Sequence, residues 1–253
     1  MFGICNLAII PLRAEPSDRS EIVSQVLFGE HFIVLEELNQ WRRIQLHYDN
    51  YEGWVDSKQF QIISETAYNT LSKEPIVLNG DLIDYISAPN NTLLPIPLGA
   101  SLSFLNHSDI NTAQFEFEGT KANGIQDKSK LINTAFLYLN APYLWGGKTP
   151  FGIDCSGFTQ MVYKLNGYHL FRDASQQATQ GEALSFIEES EPGDLAFFDN
   201  EEGNIIHVGI IMENNYIIHA SGKVRIDRLD HLGIFNPETQ KHTHKLRVIK
   251  KVI

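Results

Sequence analysis

The N-terminal quarter of the chain alternates short apolar runs with turn-forming residues. Five of these runs have the length and composition of β-strands: Leu7–Leu12, Ile22–Phe28, His31–Leu35, Trp41–Leu46 and Gly53–Val55. Strands this short and this evenly spaced are typical of a small barrel. We therefore predict an all-β barrel over residues 1–63, and the polar stretch 64–74 predicts a linker or a single helical turn.

A similar pattern returns in the next segment. Pro89–Gly99 followed by Ser101–Leu105 repeats the plan of Pro16–Gly29 followed by His31–Leu35. The second copy lacks the Gly-Trp-Val ending of the first. We therefore predict a degenerate second barrel at residues 75–120.

The spacing of apolar residues then becomes helical. Residues 127–139 keep a helical period until Pro142, which ends the helix. A second helix of about a dozen residues is predicted to begin at Cys155, with Asp154 as its N-cap and Gly167 as its C-terminal stop. Its apolar residues recur at i, i+3, i+4 and i+7: Phe158, Met161, Val162 and Leu165.

The last third of the chain returns to strands. A polar loop or helix start is predicted at Phe171–Gln177. Five apolar runs after it are predicted strands: Leu195–Phe198, 205–212, 216–220, Val224–Leu229 and Leu246–Ile249. Helices followed by a meander of strands predict an α+β domain in this part of the chain.

Composition narrows the range of partners. The net charge is −11, and Lys and Arg are scattered, so no basic stripe is present to hold a polyphosphate backbone and we expect no nucleic-acid partner. No stretch of 18 or more apolar residues occurs, so no membrane span is predicted. The apolar start Met1–Pro11 lacks the basic segment and long apolar core of a signal peptide, and we expect a cytoplasmic protein.

The candidate chemistry centres on one cysteine. Cys5 and Cys155 are too few for a disulfide framework, and we interpret Cys5 as a small core residue. At a helix start, unpaired N–H groups and the helix dipole would favour the thiolate of Cys155 and lower a pKa that is otherwise about 8.5. The same N–H groups can hold an oxyanion. The alternative interpretation of Cys155 is a buried, inert thiol.

Two histidines lie in apolar strand-like runs on either side of a turn. His207 and His219 flank Glu213–Asn215, which is predicted to be the turn of a hairpin. A three-residue turn would pair Met212 with Tyr216 and bring the two histidines onto one face as diagonal neighbours. A two-residue turn would put them on opposite faces. The sequence therefore permits their cooperation and leaves the register open.

A cysteine at a helix start, followed by a histidine on a strand and then a further polar group, is the order found in papain-like thiol hydrolases. Four separated blocks make the likeness specific: Tyr143–Gly147, Asp154–Phe158, Pro192–Leu195 and His207–Ile210. They resemble the signature blocks of the NlpC-type bacterial cell-wall cysteine peptidases. The resemblance covers about residues 124–253 and implies an α+β, papain-like catalytic domain.

This resemblance implies a mechanism of acyl transfer to water. Cys155 attacks an amide carbonyl, and His207 shares the thiol proton and gives it to the leaving amine. The third catalytic position varies in the family, and His219 fits one of its forms, orienting His207. Backbone N–H groups near Cys155 and Ser156 would stabilise the oxyanion.

The N-terminal barrel resembles a bacterial SH3-like domain. Four segments carry this likeness: Leu12–Ser17, Leu27–Glu30, Trp41–Ile44 and Tyr51–Val55. We interpret Trp54 as a core residue. Together with Arg172–Gln177 and no export signal, the arrangement resembles the branch of the family that hydrolyses the γ-D-glutamyl to diamino acid bond of murein peptides with a free N-terminal L-Ala. That branch implies cell-wall peptide recycling and no cofactor.

The branch also implies contacts for the amine of the peptide. Asp154 and Tyr51 would bind it. A plain N-cap is a competing interpretation of Asp154, although a carboxylate can cap with one oxygen while the other faces the cleft. An acidic partner on the SH3-like domain is left open among Glu15, Glu21 and Glu30.

Other substrate contacts are predicted around the cysteine. Tyr143 and Trp145 are either the wall of the cleft or core aromatics, and the sequence leaves this open. Arg172, Asp173 and Ser175 are further candidates, although their loop is equally explained as a structural cap.

Three other functions compete with this one. An exported hydrolase or amidase acting on intact cell wall would share the catalytic core. A zinc site would use Cys155, His207 and His219, although no Cys-x-x-Cys or His-Glu-x-x-His motif is present. A non-catalytic wall-binding module would not need all three catalytic groups. The oligomeric state and the preferred diamino acid are left open.

Overall fold

A computed structural model describes all residues from Met1 to Ile253. The chain divides into two compact units, Met1–Gly124 and Ile125–Ile253. None of the helices combines the length and the apolar character that crossing a membrane requires.

The first unit begins with a seven-stranded antiparallel sheet in the order β3-β2-β6-β5-β4-β1-β7. Its strands are β1 (Phe2–Ile4), β2 (Ile9–Arg13), β3 (Ile22–Leu27), β4 (His31–Leu38), β5 (Trp41–Leu46), β6 (Glu52–Asp56) and β7 (Gln61–Ile63). All five predicted strands are present. Strands β1 and β7, which are only three residues long, were not predicted.

Alternation of apolar and polar residues explains this sheet. In β2, Ile10 and Leu12 are buried while their neighbours are partly exposed, and in β4 Phe32 and Val34 follow the same rule. These residues join one apolar core, in which Cys5 is fully buried. Trp54 is also buried, so the interpretation of Cys5 and Trp54 as core residues is confirmed.

The rest of the first unit is less regular. It contains helix α1 (Glu65–Leu71) and the strands β8 (Val77–Asn79), β9 (Ile83–Ser87), β10 (Leu93–Pro97) and β11 (Lys121–Asn123). These strands form two separate pairs, β9 with β10 and β8 with β11. A 3₁₀ turn at Ser103–Asn106 takes the place of the strand expected near Ser101–Leu105. The degenerate second barrel at 75–120 therefore stays a prediction.

The second unit contains three helices and nine strands. The helices are α2 (Lys130–Phe136), α3 (Cys155–Leu165) and α4 (Ala174–Gln177). The strands are β12 (Lys148–Thr149), β13 (Gly152–Ile153), β14 (Glu182–Leu184), β15 (Leu195–Asp199), β16 (Ile205–Met212), β17 (Tyr216–Ser221), β18 (Lys223–Asp230), β19 (Gly233–Asn236) and β20 (Lys241–Lys251).

Seven of these strands form one antiparallel sheet in the order β14-β20-β15-β16-β17-β18-β19. Because β19 also pairs with β20, six of the strands close into a ring. Helix α3 packs against β16 and β17. This packing brings the start of α3 to the strand that carries His207.

Helix α2 is shorter than the predicted helix at 127–139. The segment 127–139 starts with a turn in which the Asp127 carboxylate accepts the backbone N–H of Ser129 at 2.9 Å. After Phe136 the hydrogen bonds tighten to a three-residue spacing, as in Tyr138 N–H to Ala135 O at 3.1 Å. Turns therefore replace α-helix at both ends.

Candidate active site

The cysteine lies where the sequence predicts it, at the first position of α3. Asp154 is the N-cap, with extended backbone, and its carboxylate accepts the Gly157 N–H at 2.6 Å. The helix ends before Gly167, whose φ of +83° fits a C-terminal stop. The Cys155 thiol is buried, and the backbone N–H groups of Val208 and Ser156 donate hydrogen bonds to it. Val208 directly follows His207, so the sulfur lies beside the start of β16.

The prediction of a lowered thiol pKa is wrong. Burial, followed by the negative charge of Asp154, raises the pKa of Cys155 to about 12. The N–H groups of Val208 and Ser156 and the charge of Arg172 act in the opposite direction and are outweighed. The helix start therefore does not form a free thiolate. The thiol has to give up its proton to a base when it attacks.

The two histidines cooperate through the register that a three-residue turn produces. Met212 pairs with Tyr216, and Gly209 pairs with His219. His207 and His219 consequently lie on one face, with Nε2 of His207 2.8 Å from Nδ1 of His219. The rings meet edge to face at a centroid distance of 5.0 Å. Of the two registers that the sequence permits, the structure has the one that allows cooperation.

An aspartate that was not among the predicted site residues continues this chain of hydrogen bonds. Asp227 on β18 lies 3.0 Å from Nε2 of His219, and both side chains are 1% exposed. Arg225 donates to both oxygens of Asp227, at 2.8 and 3.0 Å. The pairing rule used for His207 and His219 could also have found Asp227 from the sequence. A turn at Gly222 puts Arg225 opposite His219, and Asp227 is then a diagonal neighbour of His219 on the same face.

Asp227 determines the direction of the hydrogen bonds. Burial acts to raise the pKa of Asp227, but hydrogen bonds from His219 and Arg225 outweigh it and lower the pKa. The ionised carboxylate only accepts, so Nε2 of His219 carries the proton that it donates. Nδ1 of a neutral His219 is then an acceptor for the Nε2–H of His207. This leaves Nδ1 of His207 with the lone pair of a general base.

His207 has the protonation state that a base needs. Its pKa is lowered well below 6.5, first by burial and then by the neighbouring His219 and His244. Burial also lowers the pKa of His219, and Asp227 opposes part of that shift. At neutral pH Cys155 is therefore a neutral thiol and His207 a neutral imidazole.

Asp154 has a second role beside the cysteine. Its two oxygens accept both terminal nitrogens of Arg172, at 3.0 and 2.6 Å, and the N–H of Gly146 at 2.8 Å. Together with Gly157 N–H and the Ser156 hydroxyl, these donors exceed the roughly four lone-pair sites of a carboxylate. An ammonium group would have to displace one of them. The contacts that the structure gives Asp154 are those of a structural residue.

Arg172 and Ser156, both predicted to contact the substrate, belong to this cluster. Arg172 is 1% exposed and also donates to the Ser156 hydroxyl at 3.0 Å. Gly157 permits the tight packing around it, because a Cβ there would lie 2.3 Å from the carbonyl oxygen of Gly147. Gly147 of the first motif and Gly157, two residues after the cysteine, therefore form one close backbone contact.

The two aromatic candidates differ in exposure. Trp145 is 59% exposed and is not a core residue, so the core alternative is wrong for Trp145. Tyr143 is half-buried, and burial, then the charges of Cys155 and Asp154, raises its pKa to about 12. The backbone of Tyr143 also forms a β-bridge with Ile153, two residues before Cys155. The role of Trp145 and Tyr143 in lining a cleft stays a prediction.

The other predicted contacts have structural partners or lie in the first unit. Asp173 forms a capping box at α4, and its N–H donates to the Gln176 side chain at 3.1 Å. Ser175 is exposed. Tyr51 is half-buried against the core of the first sheet, and its N–H donates to Asp49 at 3.1 Å. Glu30 is buried and accepts the N–H of Leu27 at 2.9 Å.

A zinc site would need Cys155, His207 and His219 to face a common point. Instead, the two histidine nitrogens face each other at 2.8 Å. The structure holds no group of three or more His, Cys, Asp or Glu residues arranged to bind a metal ion. The arrangement is that of a thiol, a base and its supporting relay.

Comparisons with known proteins point to the same chemistry. The NlpC/P60 family matches residues 140–247, and a domain described as the bacterial dipeptidyl-peptidase SH3 domain matches residues 12–60. A γ-D-glutamyl-L-lysine dipeptidyl-peptidase of Bacillus subtilis is 30% identical over 217 residues, which is 79% of this chain and 72% of that protein. Dipeptidyl-peptidase 6 of Lysinibacillus sphaericus is 30% identical over 258 residues, covering 87% of this chain and 88% of its own.

A solved structure shares the fold along the whole chain. An NlpC/P60 family protein from Bacillus cereus gives a TM-score of 0.79 at 20% identity and covers 100% of this chain and 99% of its own. At that identity the likeness concerns the fold alone.

Proposed function

Since this chain belongs to the NlpC/P60 family of cysteine peptidases, we propose that it hydrolyses the γ-D-glutamyl to diamino acid bond of free murein peptides. The observation that carries the proposal is the thiol of Cys155 at the backbone N–H of Val208, which directly follows the first member of the relay of His207, His219 and Asp227. The relatives named above act, by their names, as dipeptidyl-peptidases, which release a dipeptide from a free N-terminus. L-Ala-γ-D-Glu is such a dipeptide.

The proposed reaction begins with the neutral pair. As the Cys155 sulfur attacks the γ-carboxamide carbon, its proton passes to Nδ1 of His207. The C–S bond forms, and the carbonyl π electrons move to the oxygen. The resulting imidazolium keeps its Nε2–H on His219, whose other nitrogen donates to Asp227. This relay stabilises the positive charge at the moment at which it forms.

The oxyanion and the leaving group complete the first half of the reaction. In the proposed reaction, backbone N–H groups at the start of α3 would donate to the oxyanion, an effect worth about 3 kcal/mol per donor in comparable sites. When the tetrahedral intermediate collapses, His207 gives its proton to the amine of the diamino acid. Water, deprotonated by the same imidazole, then hydrolyses the thioester and restores the thiol.

The proposal includes a free N-terminal amine on the substrate. A site that binds an ammonium rejects an acylated amine, because acylation removes the positive charge and two of the N–H donors, and the acyl group would clash. Intact cell wall, in which the L-Ala is amide-linked, would then be a poor substrate. This fits the cytoplasmic, recycling role expected from the sequence, and both stay part of the proposal.

The test compares matched peptides by mass spectrometry. Purified enzyme is incubated with L-Ala-γ-D-Glu-diaminopimelate, with its L-lysine counterpart, with the N-acetyl form of each, and with isolated peptidoglycan. We expect release of L-Ala-γ-D-Glu from the free peptides and kcat/KM at least about 100-fold lower for the N-acetyl forms. Cleavage of the free and acetylated peptides at equal kcat/KM would refute the amine requirement. Faster cleavage of peptidoglycan would favour the exported wall hydrolase.

One variant tests the predicted contact of Tyr51 with the amine. Tyr51→Phe keeps the ring that packs on the first sheet and removes only the hydroxyl. If Tyr51 binds the amine, the preference for the free peptide falls. Tyr85→Phe, on an exposed tyrosine of the same unit, is the matched control and should keep the preference. Unchanged selectivity in Tyr51→Phe would remove that hydroxyl from amine recognition.

A further inference from the structure

A third histidine lies against the proposed base. His244 on β20 stacks on His207 with ring centroids 4.1 Å apart and an angle of 24° between the rings. It also meets His219 edge to face at 5.8 Å, and Phe198 at 6.0 Å. No sequence motif singled it out, and the relay from His207 to Asp227 does not use it.

Irregularities in three strand pairs surround this stack. Between β15 and β16, Ile206 is an extra residue directly before His207. Between β19 and β20, Thr243 is an extra residue directly before His244. Between β15 and β20, Arg247 is skipped in the same way. Bulges of this kind redirect neighbouring side chains and are common beside active sites. Here two of them immediately precede the two stacked rings.

The backbone and one side chain hold His244 in place. Gly233 has a φ of +139°, and a Cβ on it would lie 1.8 Å from the carbonyl oxygen of His244. Only glycine therefore allows β19 to approach β20 so closely at this point. Nδ1 of His244 lies 2.9 Å from the Thr243 hydroxyl. The stacked ring is thus fixed independently of His207.

We propose that His244 is a positioning residue, which holds the ring of His207 at the tilt required for proton transfer with Cys155. A ring held only by its hydrogen bond to His219 is free to tilt about that bond. His244 covers one face of the His207 ring, and Phe198 contacts it at 5.7 Å. These contacts restrict the tilt and keep Nδ1 aimed in one direction, which is what a proton transfer along a fixed line needs.

The shape of the ring, rather than its charge, performs this role. Burial, then the neighbouring His219, lowers the pKa of His244 to about 4, although Asp227 opposes the shift. The other titratable group that faces His207 is His219 on β17, with Asp227 and Arg225 behind His219. Cys155, at the start of α3, accepts the backbone N–H of Val208, the residue after His207. At neutral pH His244 is therefore uncharged. A flat ring without nitrogen, such as that of phenylalanine, should then position the His207 ring as His244 does.

The experiment compares three variants with the wild type. His244→Ala removes the stack, and His244→Phe keeps a flat ring without a titratable nitrogen. His242→Ala is the matched control, because His242 lies on the same strand and pairs with Asp230 at 2.9 Å instead. The readouts are the rate of Cys155 alkylation by iodoacetamide at pH 7.5 and kcat and KM on the murein tripeptide. Thermal melting verifies folding.

An aromatic contact of this kind is worth a factor of about 2 to 13 in an equilibrium constant. We therefore expect His244→Ala to lower kcat and the alkylation rate by about 10-fold while KM changes less than about 3-fold. His244→Phe should restore both rates to within about 3-fold of the wild type, and His242→Ala should leave them unchanged. If His244→Ala is poorly folded, His244→Leu fills the volume without a flat ring and should show the same loss.

Two results would overturn the proposal. One is that His244→Ala and His244→Leu keep the alkylation rate and the kcat of the wild type. The other is a Phe variant as slow as the Ala variant, which would assign the role to a ring nitrogen. The kcat measurement rests on the proposed substrate, but alkylation needs no peptide. Failure of the substrate proposal would therefore show as absent cleavage in the wild type, with the alkylation series still deciding the role of His244.

Discussion

The two units of the chain differ most in what they bury. In the first unit the core is apolar, and only two Asp, Glu, Lys, Arg or His side chains are buried, Glu30 and Asp49. The second unit buries nine: Lys148, Asp154, Lys164, Arg172, Asp194, Asp199, His207, His219 and Asp227. Buried charges destabilise a fold unless they are paired and hydrogen-bonded. A unit that keeps so many of them therefore has a use for them other than stability.

The position of the buried charges indicates that use. Arg172 and Asp154 form a bidentate pair at the start of α3, and Arg225 and Asp227 form another behind His219. Both pairs lie next to the groups that carry out the proposed reaction. We therefore expect substitutions in the first core to change stability and leave the rate unchanged, and substitutions in the catalytic relay to change the rate.

The largest effect is expected from removing the nucleophile. Cys155→Ala should lower turnover by at least about 10⁴-fold, because no other group can form the thioester. The change removes one buried sulfur, so the melting temperature should fall by only a few degrees. Cys5→Ala, in the first core, is the matched control: it should lower the melting temperature and keep full turnover. Turnover that survives in Cys155→Ala would contradict the mechanism.

The second effect tests the relay. His219→Ala should lower kcat by about 10³-fold and change KM by less than about 3-fold, because orientation of His207 matters mainly in the transition state. Steady-state kinetics on the tripeptide measure both constants. A rise in KM at unchanged kcat would assign His219 to substrate binding instead.

A substitution in the apolar core of the first unit tests whether that core determines the stability of the unit. Phe32 is fully buried in the first sheet, so Phe32→Ala should lower the free energy of unfolding of this unit by about 3–5 kcal/mol. Urea unfolding followed by circular dichroism measures the loss. An unchanged midpoint would show that this core does not hold the unit together.

A smaller effect is expected one step further along the relay. Asp227→Asn should lower kcat by about 100-fold, because a neutral amide holds the His219 tautomer less firmly and does not stabilise positive charge. Asp230→Asn is the matched control, since Asp230 lies on the same strand and pairs with His242 outside the relay. Equal kcat in the two variants would remove Asp227 from the relay.

Local patterns predicted much of this structure. The helix at Cys155 follows from an N-cap, four apolar residues and a glycine, and its observed bounds are Cys155–Leu165. The predicted order of an SH3-like domain and an NlpC-type peptidase domain is confirmed by the two family matches. The pairing of His207 with His219 depends on one short turn, so the sequence narrowed it to two registers.

Features that depend on distant strands were not predicted. Asp227 could have been found by applying the pairing rule once more at Gly222, whereas His244 depends on bulges in β16 and β20 that break any simple register. The thiol pKa was predicted wrongly because burial of Cys155 and the proximity of its own N-cap carboxylate outweigh the helix start. Burial is a property of the folded unit and not of the motif.

The smallest effect concerns pH. The thiol and imidazole share one proton whether they exist as a neutral pair or as an ion pair, so the rate follows the fraction of enzyme that holds that single proton. Below the pKa of His207 the pair of Cys155 and His207 gains a second proton and activity falls. Above the pKa of Cys155 the pair loses its last proton.

The pKa of His207 is lowered well below 6.5, and the pKa of Cys155 is raised to about 12. We therefore expect kcat, measured at saturating peptide so that titration of the free substrate amine does not enter, to vary less than about 2-fold between pH 7 and 9 and to fall below pH 7. An alkaline limb near the ordinary thiol pKa of about 8.5 would contradict the raised pKa of Cys155. A steady rise from pH 6 to 9 would contradict the lowered pKa of His207.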